Sequence, residues 1–341
     1  TPAKTALEQE WQNVVAAARK EGVVSLYTLF ATPEFRMALD KDMWEKFGIK
    51  IEWMAAGGPI NAERIRTEQK AKQYVADVFL TGPGPSWDLV KEGAFQPFTP
   101  PIVQWEPDVW KLKGIRSGDE APEMITVLFS ASIALTVNTN LVPPQDYPKS
   151  FPDLLNAKWK DKLVMHDPTI AGSGSVMFGF AKKNHGLEFW EKMKGMNIVF
   201  LRANSEVAHR LSTVEAAINM GMSPSFYMPV LKAGAPLKMI PPQEGILMLP
   251  IFIHVISGAP HPHAAQVLIN YLLTREAQAR YHSLLAYYPL RKDVEFQADH
   301  PAIDEWIRTA PRQVVVLKED IIQWNVEEVK AGTARKLFGL K

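Results

Sequence analysis

Residues 62–82, AERIRTEQKAKQYVADVFLTG, read as one helix–strand–turn unit. A polar, helix-favouring run over 62–74 leads into a short apolar strand over 76–80. The chain then breaks at Thr81-Gly82-Pro83-Gly84-Pro85, five residues of turn chemistry placed directly after a strand. In open α/β sheets, small ligands sit beyond the carboxyl ends of strands, where backbone N–H groups and helix N-termini converge. A strand followed by a Gly/Pro turn is also how most α/β chains reverse direction, so its meaning depends on its neighbours.

Upstream, 6–21 is helical: Leu7, Trp11, Val14, Val15 and Ala18 recur at helical spacing, and Gly22 ends the run. A strand over 23–27 follows, then a turn and a helix to about Phe47, stopped by Gly48. A second strand over 49–54 runs into Ala55-Ala56-Gly57-Gly58-Pro59. Residues 23–84 therefore read β-α-β-α-β, a parallel sheet with crossover helices. Right-handed crossovers place the loops 28–33, 57–61 and 81–86 on one sheet edge. Thr28, Thr81 and Gly82 are the candidates for a pocket on that rim.

Downstream, 97–122 is rich in Pro and Trp and reads as irregular. A strand over 133–139, IALTVNT, precedes a turn at 140–144, a capped helix over 150–159 and a strand over 163–166. The turn at 167–175 leads into an apolar helix over 176–182. Helix and strand alternate through 206–217, 230–234 and 237–240, and 246–255 is the last strong strand. From Pro262 the chain is mostly helical, with Ala264, Val267, Leu268, Tyr271 and Leu272 on one face.

Composition narrows the function. The 341 residues suffice for two domains, and 47% apolar with 22% charged residues is ordinary for a soluble globular chain. A net charge of +1 without a long basic run speaks against nucleic acid as a partner. No apolar stretch approaches a membrane span; 246–256 is interrupted by Pro250 and His254 and reads as a buried strand. The absence of cysteine excludes disulfides, iron–sulfur clusters, thiolate zinc sites and a Cys nucleophile. The chain starts at Thr1-Pro2-Ala3 without Met, which fits a removed signal peptide or a trimmed terminus.

No G-x-S-x-G elbow, Walker loop or G-x-G-x-x-G fingerprint is present, so no enzyme is expected. The acid pairs Asp40/Asp42 and Glu319/Asp320 fit solvated helix faces better than a catalytic dyad. His261 and His263 flank Pro262, His166 precedes Asp167, and none has the i, i+4 spacing of a helical metal site.

Six segments occur in an order that resembles extracellular solute-binding proteins of ATP-driven importers: EGVVSLYT, AERIRTEQKAKQYVADVFLTG, IALTVNTNLVP, PKSFPDLLNAKWKDKLVMHDP, KAGAPLKMIPPQEG and AAQVLINYLLTREAQ. The nearest group is the ferric-iron-type branch, which also contains binders of phosphonates, sugar phosphates and other small anions. The resemblance covers roughly 16–294. It implies an α/β, two-lobed type II periplasmic-binding-protein fold, each lobe a central mixed sheet flanked by helices. It assigns 1–133 plus 252–341 to one lobe and 134–251 to the other, with crossover hinge strands near 132–139 and 247–254. It further implies hinge closure around a small anionic ligand held in the cleft between lobes, and delivery to an ABC permease in the membrane. A monomer in the periplasm, with its signal peptide removed and no cofactor, completes that expectation. A ferric-iron binder, an enzyme on the same plan and a sensor subunit docking on a receptor kinase are the alternatives.

With that resemblance, Gly172-Ser173-Gly174-Ser175 ahead of an apolar helix becomes the strongest ligand candidate. Free N–H groups at a helix start plus the hydroxyls of Ser173 and Ser175 suit a carboxylate or phosphate, although Ser and Gly are also ordinary N-cap residues. Ser130 and Ser132 stand at the mouth of the first crossover, and Arg202 follows the apolar 198–201. An arginine there could pair bidentately with an anion or lie on the surface. The iron-binding members use an adjacent Tyr-Tyr pair in the second lobe, and the matching position here is Ser225-Phe226-Tyr227. Phe226 offers no oxygen to a hard cation. Tyr27 and Tyr227 remain as alternative metal ligands, and Tyr287-Tyr288 lies where the family pattern places none.

Overall fold

The computed structural model describes residues 2–111, 123–298, 300–316, 320 and 323–340. It divides into two compact units, Thr1–Phe129 with Pro250–Phe296 and Ser130–Leu249 with Gln297–Lys341. In chain order the first unit begins with α1 (Pro2–Glu21), β1 (Val23–Thr28), α2 (Pro33–Phe47), β2 (Lys50–Ala55) and α3 (Gly58–Lys70). Then come β3 (Val78–Thr81), α4 (Pro83–Lys91), β4 (Phe95–Gln96), α5 (Ile102–Trp105) and β5 (Ile125–Ser132). The second unit carries β6 (Ala134–Asn138), β7 (Leu163–His166), α6 (Ser173–Met193), β8 (Val199–Leu201) and α7 (Asn204–Ser212). It continues through β9 (Ile218–Met222), α8 (Met228–Lys232), β10 (Leu237–Ile240) and the first residues of β11 (Ile246–Ile256). The chain returns to the first unit for α9 (Pro262–Leu272), α10 (Arg275–Leu285) and β12 (Tyr288–Pro289), then ends in the second with α11 (Pro301–Arg308), β13 (Gln313–Val315) and short helices.

In the first unit β1 lies between β2 and β3, parallel to both, with Thr28 opposite Ala55 and Leu80. The carboxyl ends of these three strands therefore share one edge. β11 adds antiparallel to β3, giving the mixed order β12-β5-β11-β3-β1-β2. Helix ends follow local chemistry. Thr32 caps α2 by accepting from the Phe35 N–H at 3.3 Å, and Gly48 takes φ 69° at its end, a conformation glycine adopts without strain. The helix expected over 62–74 starts earlier, at Gly58, because Pro59 is tolerated in a first turn, where its missing N–H costs nothing. The Glu21 carboxylate, last in α1, accepts from the Ala264 N–H at 2.7 Å and so caps α9.

All eleven residues of β11 are buried. His254 is fully enclosed there, stacked on Phe95 at 4.0 Å, with Nδ1 2.9 Å from the Glu123 carbonyl and Nε2 2.9 Å from Ser86 Oγ. Asp42 contradicts its expected place on a solvated helix face. It is buried and accepts from the Tyr271 hydroxyl at 2.7 Å, from the Tyr281 hydroxyl and from Arg280. Burial alone would raise its pKa, but these donors outweigh burial and hold the carboxyl below its ordinary range.

The second unit has the order β10-β6-β9-β7-β8, with β6 antiparallel to β9 and β10 and β7 parallel to β8 and β9. Met165 pairs with Met220 and His166 with Leu201, so β7, β8 and β9 also end on one edge. Over 150–159 the expected α-helix is replaced by 3-10 turns, Phe151–Leu155 and Ala157–Trp159, divided at Asn156, whose side chain starts the second turn. The stretch expected to be irregular over 97–122 contains α5, and its part from 112 to 122 lies outside the described residues.

The sequence reading places 252–341 in one lobe; the structure corrects this for 297–341. Trp324 sits against Gly179 in α6 so tightly that a Cβ on that glycine would collide with the indole. Phe338 packs edge-on to Trp190 at 6.0 Å and against Phe200 at 4.9 Å, and Lys238 of β10 pairs with Glu305 of α11 at 2.6 Å. These contacts bind the chain's end to the second unit.

Candidate functional site

Three parallel strand ends build the edge of the second unit. After His166 the turn 167–172 delivers the start of α6; after Leu201, Arg202 and Ala203 lead into α7; after Met222, Ser223 opens a 3-10 turn that ends at Tyr227. The Ser173 hydroxyl donates to Asn204 Oδ1 at 2.8 Å, joining the first turns of α6 and α7. Ser175 Oγ accepts from the Gly172 N–H and donates to the Gly172 carbonyl, both at 3.0 Å, which closes the turn on itself. Gly172 at φ 153° occupies a region L-residues avoid, and a Cβ on Gly174 would collide with the His166 carbonyl oxygen. Both glycines are required for the backbone to pass this closely over β7.

The Gly174 N–H donates to Nδ1 of buried His166 at 3.3 Å. Desolvation pushes the His166 pKa below its ordinary value, against the pull of the Arg202 carbonyl and the Asp167 charge, so the ring is neutral at pH 7. Asp167 Oδ1 is taken up by the Thr169 N–H at 2.8 Å and hydroxyl at 2.6 Å. Arg202 is exposed. The N-terminus of the 21-residue α6, a neutral imidazole below it and an exposed guanidinium beside it favour an anion at this edge.

Other candidates are placed differently. Tyr227 is fully buried; its hydroxyl donates to Asn219 Oδ1 at 2.5 Å, and Asn219 Nδ2 donates to the Val164 carbonyl at 3.0 Å. Burial raises the phenol's pKa, opposing a tyrosinate. Ser225 Oγ lies 3.0 Å from Ser223 Oγ. Ser132 is buried at the end of β5, and the side chain of Ser130 lies outside the described residues.

On the first unit's edge, Thr28 Oγ1 accepts from the Phe30 N–H at 2.9 Å. The Gly82 carbonyl accepts from Ser86 Oγ at 3.1 Å. Thr81 is fully buried, and its Oγ1 has no partner among the described residues. Asn61, in the first turn of α3, donates to the Ala56 carbonyl at 3.0 Å while its Oδ1 is likewise unpartnered. Tyr27 is engaged: its hydroxyl donates to Glu68 at 2.6 Å and accepts from Arg64 Nε at 3.1 Å. Burial first, then Glu68, push that phenol up to about 12. His261 pairs with Asp77 at 2.9 Å and His263 with Glu21 at 2.7 Å. Among the described residues no group of three or more His, Cys, Asp or Glu stands ready for a metal.

Sequence reasoning missed the roles of His166 and Asn204. Both are set by which strand ends lie side by side, and no spacing along the chain carries that information.

Residues 38–309 match the family model of bacterial extracellular solute-binding proteins, and the chain belongs to that family. Its two mixed sheets flanked by helices are the type II periplasmic-binding-protein fold, and it is a solute-binding protein of the ABC-importer class, whose members deliver small ligands to membrane permeases. Among its relatives is a protein of Salmonella typhimurium (strain LT2) named for periplasmic 2-aminoethylphosphonate binding, 23% identical over 327 residues, covering 89% of this chain and 92% of the relative. Iron-bound HitA of Pseudomonas aeruginosa shares the fold with TM-score 0.73 at 18% identity, over 92% of this chain and 99% of that one. The substrate-binding protein of an Agrobacterium tumefaciens ABC transporter does so with TM-score 0.76 at 12% identity, over 94% of each chain.

Proposed function

We propose that this protein captures a small organic anion, a phosphonate, sugar phosphate or carboxylate, at the second unit's edge and hands it to the permease of an ABC importer. The observation that carries this reading is the start of α6, where the 172–175 turn, Asn204 and Arg202 gather donors and positive potential at the ends of β7 and β8. The Salmonella relative makes phosphonates the first class to test. The ferric alternative is weaker, because Phe226 has no donor, Tyr227 is buried in a hydrogen bond to Asn219, and Tyr27 is held by Glu68 and Arg64. The same reading makes the protein a periplasmic monomer that neither catalyses a reaction nor binds nucleic acid or a cofactor. Thr28, Thr81 and Gly82 form a second candidate contact surface, and the proposed hinges are the strands over 132–139 and 247–254.

A thermal-shift screen of refolded, ligand-stripped protein tests this. A ligand that binds only the native state raises the melting temperature. Shifts are expected with 2-aminoethylphosphonate, glycerol phosphate or simple carboxylates and not with ferric ion. A shift with ferric ion alone, accompanied by a coloured tyrosinate band, would overturn the organic-anion reading.

A further inference from the structure

His166 closes β7 directly beneath the 172–175 turn. A Cβ placed on Gly172 would lie 3.3 Å from His166 Cε1, so the imidazole is the floor on which this turn rests. Its Nδ1 accepts from the Gly174 N–H at 3.3 Å. That bond requires a bare Nδ1, which puts the neutral ring's single proton on Nε2. The ring thus holds the turn before α6, while the main chain of its own strand pairs His166 with Leu201 and the Asp167 N–H with the Leu201 carbonyl at 2.8 Å, next to the loop before α7. An aliphatic side chain of the same size could fill the space but could not accept from Gly174.

The consequence is a selection among donors. The first N–H groups of a helix lack intrahelical acceptors. His166 occupies that of Gly174, while the Ser173 hydroxyl is committed to Asn204 Oδ1. Among the described residues the Ser173 N–H, the Asn204 side-chain NH2 and the Arg202 guanidinium have no acceptor, and the last two stand at the start of α7 and in the loop before it. The charged groups whose fields reach the ring are Asp167 and Arg202, acting in opposite directions.

We propose that His166 is a positioning residue of this edge: it fixes the 172–175 turn in one geometry at the end of β7 and so directs the bound anion toward Arg202 and Asn204. The proposal rests on the reading of this edge as the solute site.

The test uses the full chain, 2-aminoethylphosphonate and inorganic phosphate as probes, and titration calorimetry on wild type and three variants. His166→Asn keeps an acceptor oxygen near the place of Nδ1. His166→Gln fills similar space but carries its amide past the place of Nδ1 and offers nothing to Gly174, and His166→Ala removes the side chain. Leaving a buried donor unpaired is expected to weaken binding about tenfold or more in His166→Ala and His166→Gln, with His166→Asn within about threefold of wild type. Rescue by Asn is the readout that space-filling alone would not give. If His166→Ala does not fold, the Asn and Gln variants carry the comparison. Wild-type affinity in His166→Gln, or His166→Asn no better than His166→Gln, overturns the proposal. Wild type that binds neither these probes nor glycerol phosphate nor simple carboxylates removes the solute reading and the positioning role with it. A ligand-free arm is independent of any solute: nitrogen-15 spectra of the His166 ring should show Nδ1 unprotonated at pH 7, and a protonated Nδ1 overturns the geometry.

Discussion

His254 makes acid sensitivity a quantitative consequence of the core. Its imidazole is enclosed between Phe95, Ser86 and the Glu123 carbonyl. Desolvation, only partly countered by that carbonyl, takes its pKa from the ordinary 6.5 down to about 3. A group with a lowered folded-state pKa binds more protons unfolded than folded between the two values. Its contribution is therefore fully present above pH 6.5 and is lost as pH falls toward 3. The slope reaches roughly 1.4 kcal/mol per pH unit below the unfolded pKa, so about 2.7 kcal/mol disappears between pH 8 and pH 4.5. The perturbation is His254→Phe, which keeps a ring against Phe95 but removes the titrating group and unpairs the Glu123 carbonyl, costing about 1–3 kcal/mol at pH 8. Urea denaturation followed by tryptophan fluorescence at pH 8, 6.5, 5.5 and 4.5 gives both curves, and the other histidines cancel in the difference. The variant should be the less stable at pH 8 and equal or exceed wild type at pH 4.5. A difference that stays constant within about 0.5 kcal/mol across the range would refute the linkage argument.

Three further outcomes follow from the packing. Asp42→Ala leaves the Tyr271 and Tyr281 hydroxyls and Arg280 without their acceptor and should cost about 2–4 kcal/mol in urea unfolding, whereas a loss below about 0.5 would place the carboxylate in solvent after all. Gly174→Ala drives a methyl into the His166 carbonyl, so thermal shifts by anionic probes should vanish while circular dichroism stays native; retained shifts would separate the turn from binding. Gly179→Ala collides with Trp324 and should release the chain's end to limited proteolysis near residue 323, and an unchanged digestion pattern would contradict that docking.

Most of the first unit's architecture was legible. Gly22 and Gly48 punctuate 23–54, and the alternation of helix and strand through Gly84 leaves little choice but a parallel β-α-β-α-β sheet. Thr81 closes β3 where the turn chemistry begins. The edge at 172–175 was visible as a helix start, yet its hydroxyls serve the turn itself and Asn204, a fact fixed by tertiary register. Asp42 was misread because α2 carries apolar residues on two faces: Phe35, Leu39 and Met43 are buried, while Met37 and Trp44 are 66% and 64% exposed. Periodicity could not say which face was inside. The strand β9 ahead of Tyr227 was not read from the sequence, and local pattern does not reveal that the Tyr227 hydroxyl turns inward to Asn219. The placement of 297–341 came from the resemblance, and nothing in that segment's own pattern names what its apolar residues pack against.

The chain's end belongs to the second unit and 250–296 to the first, so the two units interleave along the polypeptide. The earliest-made unit lacks β11, its central strand, until translation has passed residue 256. The other lacks Trp324 and Phe338, which cover α6, until translation has passed residue 338. At about 5–20 residues per second, the first 129 residues wait several seconds or more for their partner strand. Neither unit can complete its core from its earlier segment alone, and each stays open to whatever handles unfolded chains until its later segment exists.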